Sequence, residues 1–556
     1  MVSPRLLPMG DRAVIAEVAA LDEVLALHEA LAASRPRGVV DLVPAARTVL
    51  VQVDPRRLTL AAARSWIQRT AEGMDAAPPV RADATVVELD AVYDGPDLAE
   101  TAELLGLSRD ELVARHSGAE WTVAFTGFAP GFGYLVSEDW RFDVPRLASP
   151  RTRVPAGAIG LAGGFSGAYP RETPGGWRLI ATTSALLFDP DAATPALLAP
   201  GTRVRFRPTA ASDASTGSAT GSATPRSPSP STDRAVEAEP ATPRSPSLSR
   251  GRPTASGAPP RSPNPSPRRA FRVVEPGLLA TLQDLGRPGA ASLGVAPSGA
   301  LDRGALRTAN RLVGNDEAEA GVEVTMGGFR AVAEADLWFA VAGAWGAIRL
   351  DGHELDPYEA HPWPAGAELH LDWFAHGARA YLAVRGGLAG HEVLGSRATD
   401  LLAALGPDPL RAGTLVALAG AASLPIPAAE IAPWGAPHDA ELEVELAPGA
   451  RADWFAASAL RDLFESVWTV TNDADRVGVR LDGRALTRVR DGELTSEGMV
   501  PGSLQVSPTG RPTILLADGP VTGGYPVIAV ATDASLDAIA QARPGSRIRF
   551  RHARAN

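Results

Sequence analysis

Short apolar runs broken by turn residues dominate the chain, and only a few stretches carry the longer period of a helix. Near the start, Ala13-Val14-Ile15-Ala16 reads as a strand and Leu21 to Ala33 has helical spacing. Thr48-Val49-Leu50-Val51-Gln52-Val53 reads as a second strand, closed by Asp54-Pro55. Residues 1–78 are therefore predicted to form a small α/β domain. From Thr85 a strand, TVVELDAVY, leads into two short helices. Ser108-Arg109-Asp110-Glu111 has the Ser-x-x-Glu spacing of a capping box at the start of the second. After Glu120 the pattern turns β-rich with Gly and Pro turns up to Arg207, so 79–207 is predicted to be a mainly β unit.

Residues 208–269 break the pattern. They consist of Ser, Pro, Thr, Ala and Arg with almost nothing large and apolar, and ATPRSPS occurs at 223–229 and again at 241–247. Such composition cannot offset its ordering entropy and predicts a disordered linker between two globular halves. In 270–556 runs such as LWFAVAG, ARAYLAV and RPTILLA alternate with Gly, Pro and Asp turns. Helical patterns recur at Asp302–Val313 and Asp453–Val467. Barrels or sandwiches in two lobes fit this half better than a parallel sheet.

The two halves also repeat one another. TPGGWRLIATT (173–183) parallels TGGYPVIAVAT (522–532), VPAGAI (154–159) parallels VPGSL (500–504), and PGTRVRFR (200–207) parallels PGSRIRFR (544–551). Three blocks in one order at nearly one spacing argue for duplicated β domains. Each Arg-x-Arg-Phe-Arg ending alternates as a final strand, apolar inward and arginine outward.

A length of 556 residues suggests three or four domains, and the formal charge of −11, from 53 basic and 64 acidic residues, disfavours nucleic acid as a partner. No apolar run reaches membrane-span length and the first residues lack signal-peptide zones, so a cytoplasmic protein is expected. No cysteine is present, which removes disulfides and thiolate chemistry, and every basic side chain is arginine. Biotin attachment, Schiff-base chemistry, a P-loop lysine and a Ser-Ser-Lys amidase are excluded on this chain. The nine histidines form no His-Glu-x-x-His and no close metal-spaced pair. Gly164-Phe165-Ser166-Gly167-Ala168 misses the nucleophile-elbow pattern and reads as a turn serine.

The segments FTGFAPGFGYL, SPRTRVPAGAIGLAGG, GAYP and PGGWRLI resemble the B component of 5-oxoprolinase, the KipI-like family. VVEPGLLATLQDLGRPG, GVAPSGALD, LGSRATDL, DADRVGVRL, SEGMVPGSLQV and TGGYP resemble its C component, the KipA-like family. Together they span nearly everything outside the linker, as in a B–C fusion. The resemblance implies tandem cyclophilin-like β-barrels beside the small α/β domain, and work with the A component of 5-oxoprolinase as a separate chain. It also implies ATP-driven ring opening of 5-oxoproline to glutamate, with Mg2+ accompanying the nucleotide and possible self-association through the barrels. The same module serves as the carboxyltransferase part of urea carboxylase, and a B-like relative inhibits a histidine kinase. These are the alternative readings. Older naming as allophanate hydrolase subunits is disfavoured because the amidase lysine cannot exist here.

Within those motifs, Phe132 and Tyr134 either wall a pocket or pack a barrel corner. Arg151 and Arg153 share a face of an extended segment and suit a carboxylate or phosphate. Arg287, Arg397 and Arg476 are similar candidates, each open to being a structural ion pair, and Tyr525 is a candidate cleft residue. Asp284, Asp302, Glu323, Glu497 and Asp518 are the acid–base candidates, with Asp302 and Glu497 equally able to cap a helix or turn. The chain departs from the resembled pattern at Ala181-Thr182-Thr183 and at Gly519-Pro520-Val521.

Overall fold

The computed structural model describes residues 3–74, 86–210, 269–429, 433, 435–437, 441–490, 492 and 494–554. The predicted linker at 208–269 falls almost wholly outside them, as does the stretch around residue 79. The protein is mostly β, in four bodies.

The N-terminal sheet runs in the order 5–8, 13–17, 48–53, 39–44, all antiparallel, with helices at Leu21–Ala33 and Leu60–Glu72. Its strands are apolar at consecutive positions because both faces are covered. Val14, Ala16, Val49 and Val51 pack against the helices, while Ile15 and Leu50 join Ala450, Met499, Val527 and Val530 of the last body.

The first barrel has seven strands in the order 178–182, 158–162, 165–168, 133–136, 121–126, 203–208, 86–91, and a Val92–Thr182 bridge brings its edges together. The last body is a closed barrel in the order 527–531, 503–506, 512–515, 478–482, 467–470, 547–552, 441–448. Strand for strand these orders are the same, including a parallel first–last pair in each. The sequence repeat is therefore a repeat of topology. Val204, Phe206, Ile548 and Phe550 point inward, and Arg203, Arg205, Arg549 and Arg551 pair outside with Glu120, Glu441 and Glu443.

Between the barrels in sequence lies a sandwich. A six-stranded sheet packs on a five-stranded one around Phe271, Phe329, Phe339, Trp363 and Leu382, each contributing about 1.5–3 kcal/mol by burial. Two helical expectations shift slightly. Asp302 caps the helix Arg303–Leu312 rather than starting it. The stretch 453–467 splits into a 3-10 turn, Ala452–Trp454, and a helix, Ala457–Glu465, because Trp454 and Phe455 anchor in the core and Val467 begins a barrel strand.

The halves interlock. Arg12 donates to Asp533 at 2.6 Å and to the Pro501 carbonyl at 2.6 Å, and Arg451 bridges Glu17 and Glu497. Gly294, at φ +78°, lies against the first barrel so closely that a Cβ would sit 2.5 Å from the Ala129 carbonyl oxygen. No helix among the described residues is long and apolar enough to cross a membrane.

Candidate functional site

A cleft of about 610 Å3 opens between the two barrels, within the size range of small-molecule sites. One wall is the turn after strand 121–126. Phe128 there holds φ 65°, a left-handed conformation unusual for a bulky residue. Bonds across the halves fix it: the Phe128 N–H donates to Thr522 Oγ1 at 2.9 Å, and the Gly131 N–H to the Leu293 carbonyl at 3.0 Å. The flanks are two small ribbons, 173–175 on 151–154 and 522–523 on 497–498, one beside each barrel. They bring Thr173 and Tyr525 to the cleft.

Its charged groups come from both halves. Arg146 and Arg171 line it from the first barrel, and Arg488, Asp518 and Asp400 from the second half. Arg171 Nη1 and Arg488 Nε are buried with no hydrogen-bond partner among the described residues. Burial weakens the hold of both guanidiniums on their protons, so an anionic group is their natural partner. Burial, and then the neighbouring Asp518, pushes the Asp400 carboxyl up to about 6. Among the described residues no cluster of three or more His, Asp or Glu is placed to hold a metal ion.

Directly beneath lies an ionic hub. Arg476 donates to Asp518 Oδ2 at 2.9 Å and Oδ1 at 3.0 Å, to Glu323 Oε1 at 2.6 Å and to the Gly299 carbonyl at 2.7 Å. Tyr381 donates to Glu323 Oε2 at 2.7 Å. Burial alone would raise the Glu323 carboxyl, but Arg476 and Arg379 hold it below its ordinary value. The hub joins the second barrel to the sandwich and leaves Arg476 no free N–H face for a ligand.

The other candidates are placed as follows. Asp518 and Tyr525 line the cleft; Glu323 and Arg476 stand behind it. Phe132 and Tyr134 do not wall it: they are buried in the first barrel with Tyr169 and Trp177, and Phe128, which does line the cleft, packs edge-on against Phe132 in front of them. Arg151 pairs with Asp97 at 2.6 Å and exposed Arg153 with Glu172 at 2.6 Å, so their shared face grips protein carboxylates. Asp284 is consumed by Ser396 Oγ and the Gly286 and Arg397 N–H groups. Arg397 lies near Glu392 and Glu319. Buried Arg287 donates to the Ala398 carbonyl, its Nε and Nη1 lacking partners among the described residues. Asp302 is a helix cap, accepting from the Ala305 N–H at 2.8 Å and Gln541 at 2.7 Å, and burial first, then Asp537, raises it to about 7. Glu497 pairs with Arg451 rather than capping a turn.

Arg146, Arg171, Arg488 and Asp400 were not singled out in the sequence. Signals existed for two of them: Arg171 stands two residues before the Thr-Pro-Gly-Gly that opens one repeat block, and Asp400 lies within LGSRATDL, three residues past Arg397. Ser166 is not a nucleophile. It lies fully buried at 2.8 Å from His116 Nε2, whose Nδ1 meets Tyr93 Oη at 2.8 Å, a core network out of reach of substrate.

Two family models match the chain: "Carboxyltransferase domain, subdomain C and D" over residues 4–198, and "Carboxyltransferase domain, subdomain A and B" over residues 293–552. The chain is similar to the C component of 5-oxoprolinase from Escherichia coli K12, 36% identical over 284 residues, 50% of this chain and 90% of that protein. It is similar to the B component of 5-oxoprolinase from Escherichia coli O157:H7, 43% identical over 174 residues, 31% of this chain and 78% of that protein. Urea amidolyase of Lachancea kluyveri is 32% identical over 309 residues, but these are only 17% of that protein. Among solved structures, that of TTHA0988 superposes with a TM-score of 0.76 at 35% identity, covering 99% of this chain and 100% of that one.

Proposed function

We propose, from the premise that this chain belongs to the carboxyltransferase-domain family as a half like the 5-oxoprolinase B component joined to a half like the C component, that the inter-barrel cleft binds 5-oxoproline for ring opening to glutamate. The observation that carries this reading is that neither half builds the cleft alone, and that its cations come from both. A lactam acid presents a carboxylate to Arg146, Arg171 and Arg488 and an uncharged amide to the rest of the wall. The chain acts as one part of a hydrolase complex, with the separate A component completing the reaction.

Opening an unstrained amide requires activating its carbonyl. The orphaned N–H groups of Arg171 and Arg488 also fit the phosphates of a nucleoside triphosphate, and the cleft is several times larger than one lactam ring needs. Bound there, ATP would supply a phosphoryl group to the amide oxygen and so activate the carbonyl carbon toward water, with the ring nitrogen departing as the amine. The nucleotide's Mg2+ would be held mainly by phosphate oxygens. This chain's own part is to hold both ligands in one orientation, neutralise their charge and exclude water.

The test mixes the purified chain with its cognate A component and follows ADP and glutamate release on addition of 5-oxoproline. Arg171→Gln should raise KM by about tenfold or more while leaving the fold intact. Full ATP-dependent turnover by the A component alone would sink the division of labour. Silence with 5-oxoproline, combined with biotin-dependent carboxylation of a urea-like amide, would favour the carboxyltransferase reading.

A further inference from the structure

Two carboxylates meet in the cleft, and their surroundings differ. Asp518 has both oxygens engaged: Oδ1 accepts from Ser298 Oγ at 2.7 Å and Arg476 Nη2 at 3.0 Å, Oδ2 from Arg476 Nε at 2.9 Å and the Leu401 N–H at 3.3 Å. It is a fixed anion with nothing left to offer. Asp400 Oδ1 accepts from the Ala403 N–H at 2.8 Å, but Oδ2 is buried without a partner among the described residues. The Asp400 backbone is pinned to Leu405 in both directions, at 2.9 and 3.2 Å, around a tight turn in which Ala404 adopts φ 50°.

A buried carboxylate oxygen with no partner is costly and calls for a donor. The groups facing Asp400 are Asp518 beside it, Arg287 and Arg476 beneath, and Arg171 from the first barrel. Cations that reach it act through space without donating to Oδ2. A ligand carboxylate is an acceptor and cannot fill the position; an amide N–H can.

We propose that Asp400 Oδ2 accepts the ring N–H of the substrate, so that the cleft selects a lactam acid over the corresponding lactone. The inference rests on the cleft being the 5-oxoproline site. In this arrangement the arginines take the ligand's carboxylate and Asp400 reads the neighbouring N–H. Replacing that N–H by a ring oxygen sets a lone pair against a buried carboxylate. The acceptor must be ionised to work, and burial with Asp518 nearby holds Asp400 at about 6. Affinity for the lactam should therefore fall as pH drops through that value, while the ligand's own carboxylate stays charged.

The experiment is calorimetric titration of the full chain with 5-oxoproline and with 5-oxotetrahydrofuran-2-carboxylate, well above and just below the Asp400 midpoint. At the higher pH the lactam should bind about tenfold or more tighter than the lactone. That preference should shrink at the lower pH, and Asp400→Asn should bring the two ligands to within about threefold of one another. Should Asp400→Asn fail to fold, the pH dependence of the unmodified chain's preference decides by itself. Equal affinity for both ligands in the unmodified chain, or a preference that survives Asp400→Asn, overturns the role of Asp400 and leaves the substrate reading standing. Binding of neither ligand overturns both.

Discussion

The two barrels share one strand order but use equivalent positions for different ends. Gly175-Gly176-Trp177 in the first corresponds to Gly523-Gly524-Tyr525 in the second. Trp177 is 6% exposed and closes an aromatic core with Phe132 and Tyr134, whereas Tyr525 is 50% exposed and lines the cleft. In the flanking ribbons Gly175 faces Arg151 and Gly523 faces Glu497, opposite charges at matching places. Backbone topology was duplicated, and the side chains then diverged. One barrel became a filled wall, while the other became a charged floor welded to the sandwich.

The largest effect should come from the weld. Arg476→Gln leaves Glu323 and Asp518 buried against one another with their shared counter-ion gone, an expected loss of about 3–5 kcal/mol. Arg153→Gln on the first barrel removes only an exposed pair and should cost less than about 0.5 kcal/mol. Chemical denaturation of the two variants measures the contrast. A loss below about 1 kcal/mol for Arg476→Gln would show that the second barrel does not depend on its ionic floor.

A middling effect separates the barrels by pH. His116 in the first barrel corresponds to Leu463 in the second, each five residues before a buried tryptophan. Burial pushes His116 down to about 3, against an ordinary value of 6.5, so the folded state holds it neutral. The stability it contributes is fully present above about pH 6.5 and is lost as pH falls toward 3. His116→Leu strands the Tyr93 and Ser166 hydroxyls and should cost about 2 kcal/mol at neutral pH. The variant should also lose less stability than the unmodified chain between neutral and acid pH. Denaturation midpoints across that range check both, and an unchanged acid slope would remove His116 as its source.

Much of this frame was legible in the sequence because it rests on local signals. The capping box at Ser108 and Glu111 forms, the alternating Arg-x-Arg-Phe-Arg strands orient as their period requires, and three repeated blocks exposed the duplication. The family followed from the same motifs. The site was less legible for a physical reason. Charge at a motif does not say whether its partner is a ligand or another part of the chain, and Arg151, Asp284 and Arg476 all found protein partners. Conversely, Asp400 and Arg171 become notable only through what fails to reach them, which depends on two halves meeting across more than two hundred residues of sequence.

The smallest effect tests the shared frame itself. Trp121 Nε1 donates to the His116 carbonyl at 2.9 Å, and Trp468 Nε1 to the Leu463 carbonyl at 3.0 Å, closing the same helix-to-strand corner in each barrel. Both indoles are fully buried. Phenylalanine at either position keeps an aromatic ring but deletes the donor, strands one carbonyl and leaves a small void. Trp121→Phe and Trp468→Phe should each cost about 1–2 kcal/mol, and the two losses should agree to within about 0.5 kcal/mol. Such agreement would come from the common backbone, because the side chains around the two rings differ. His116 and Phe206 surround Trp121, whereas Trp468 packs near Phe550 with a leucine in the histidine's place. Unequal losses would mean that divergence has reached the corners as well as the ligand-facing loops, and the barrels would then share only their strand order.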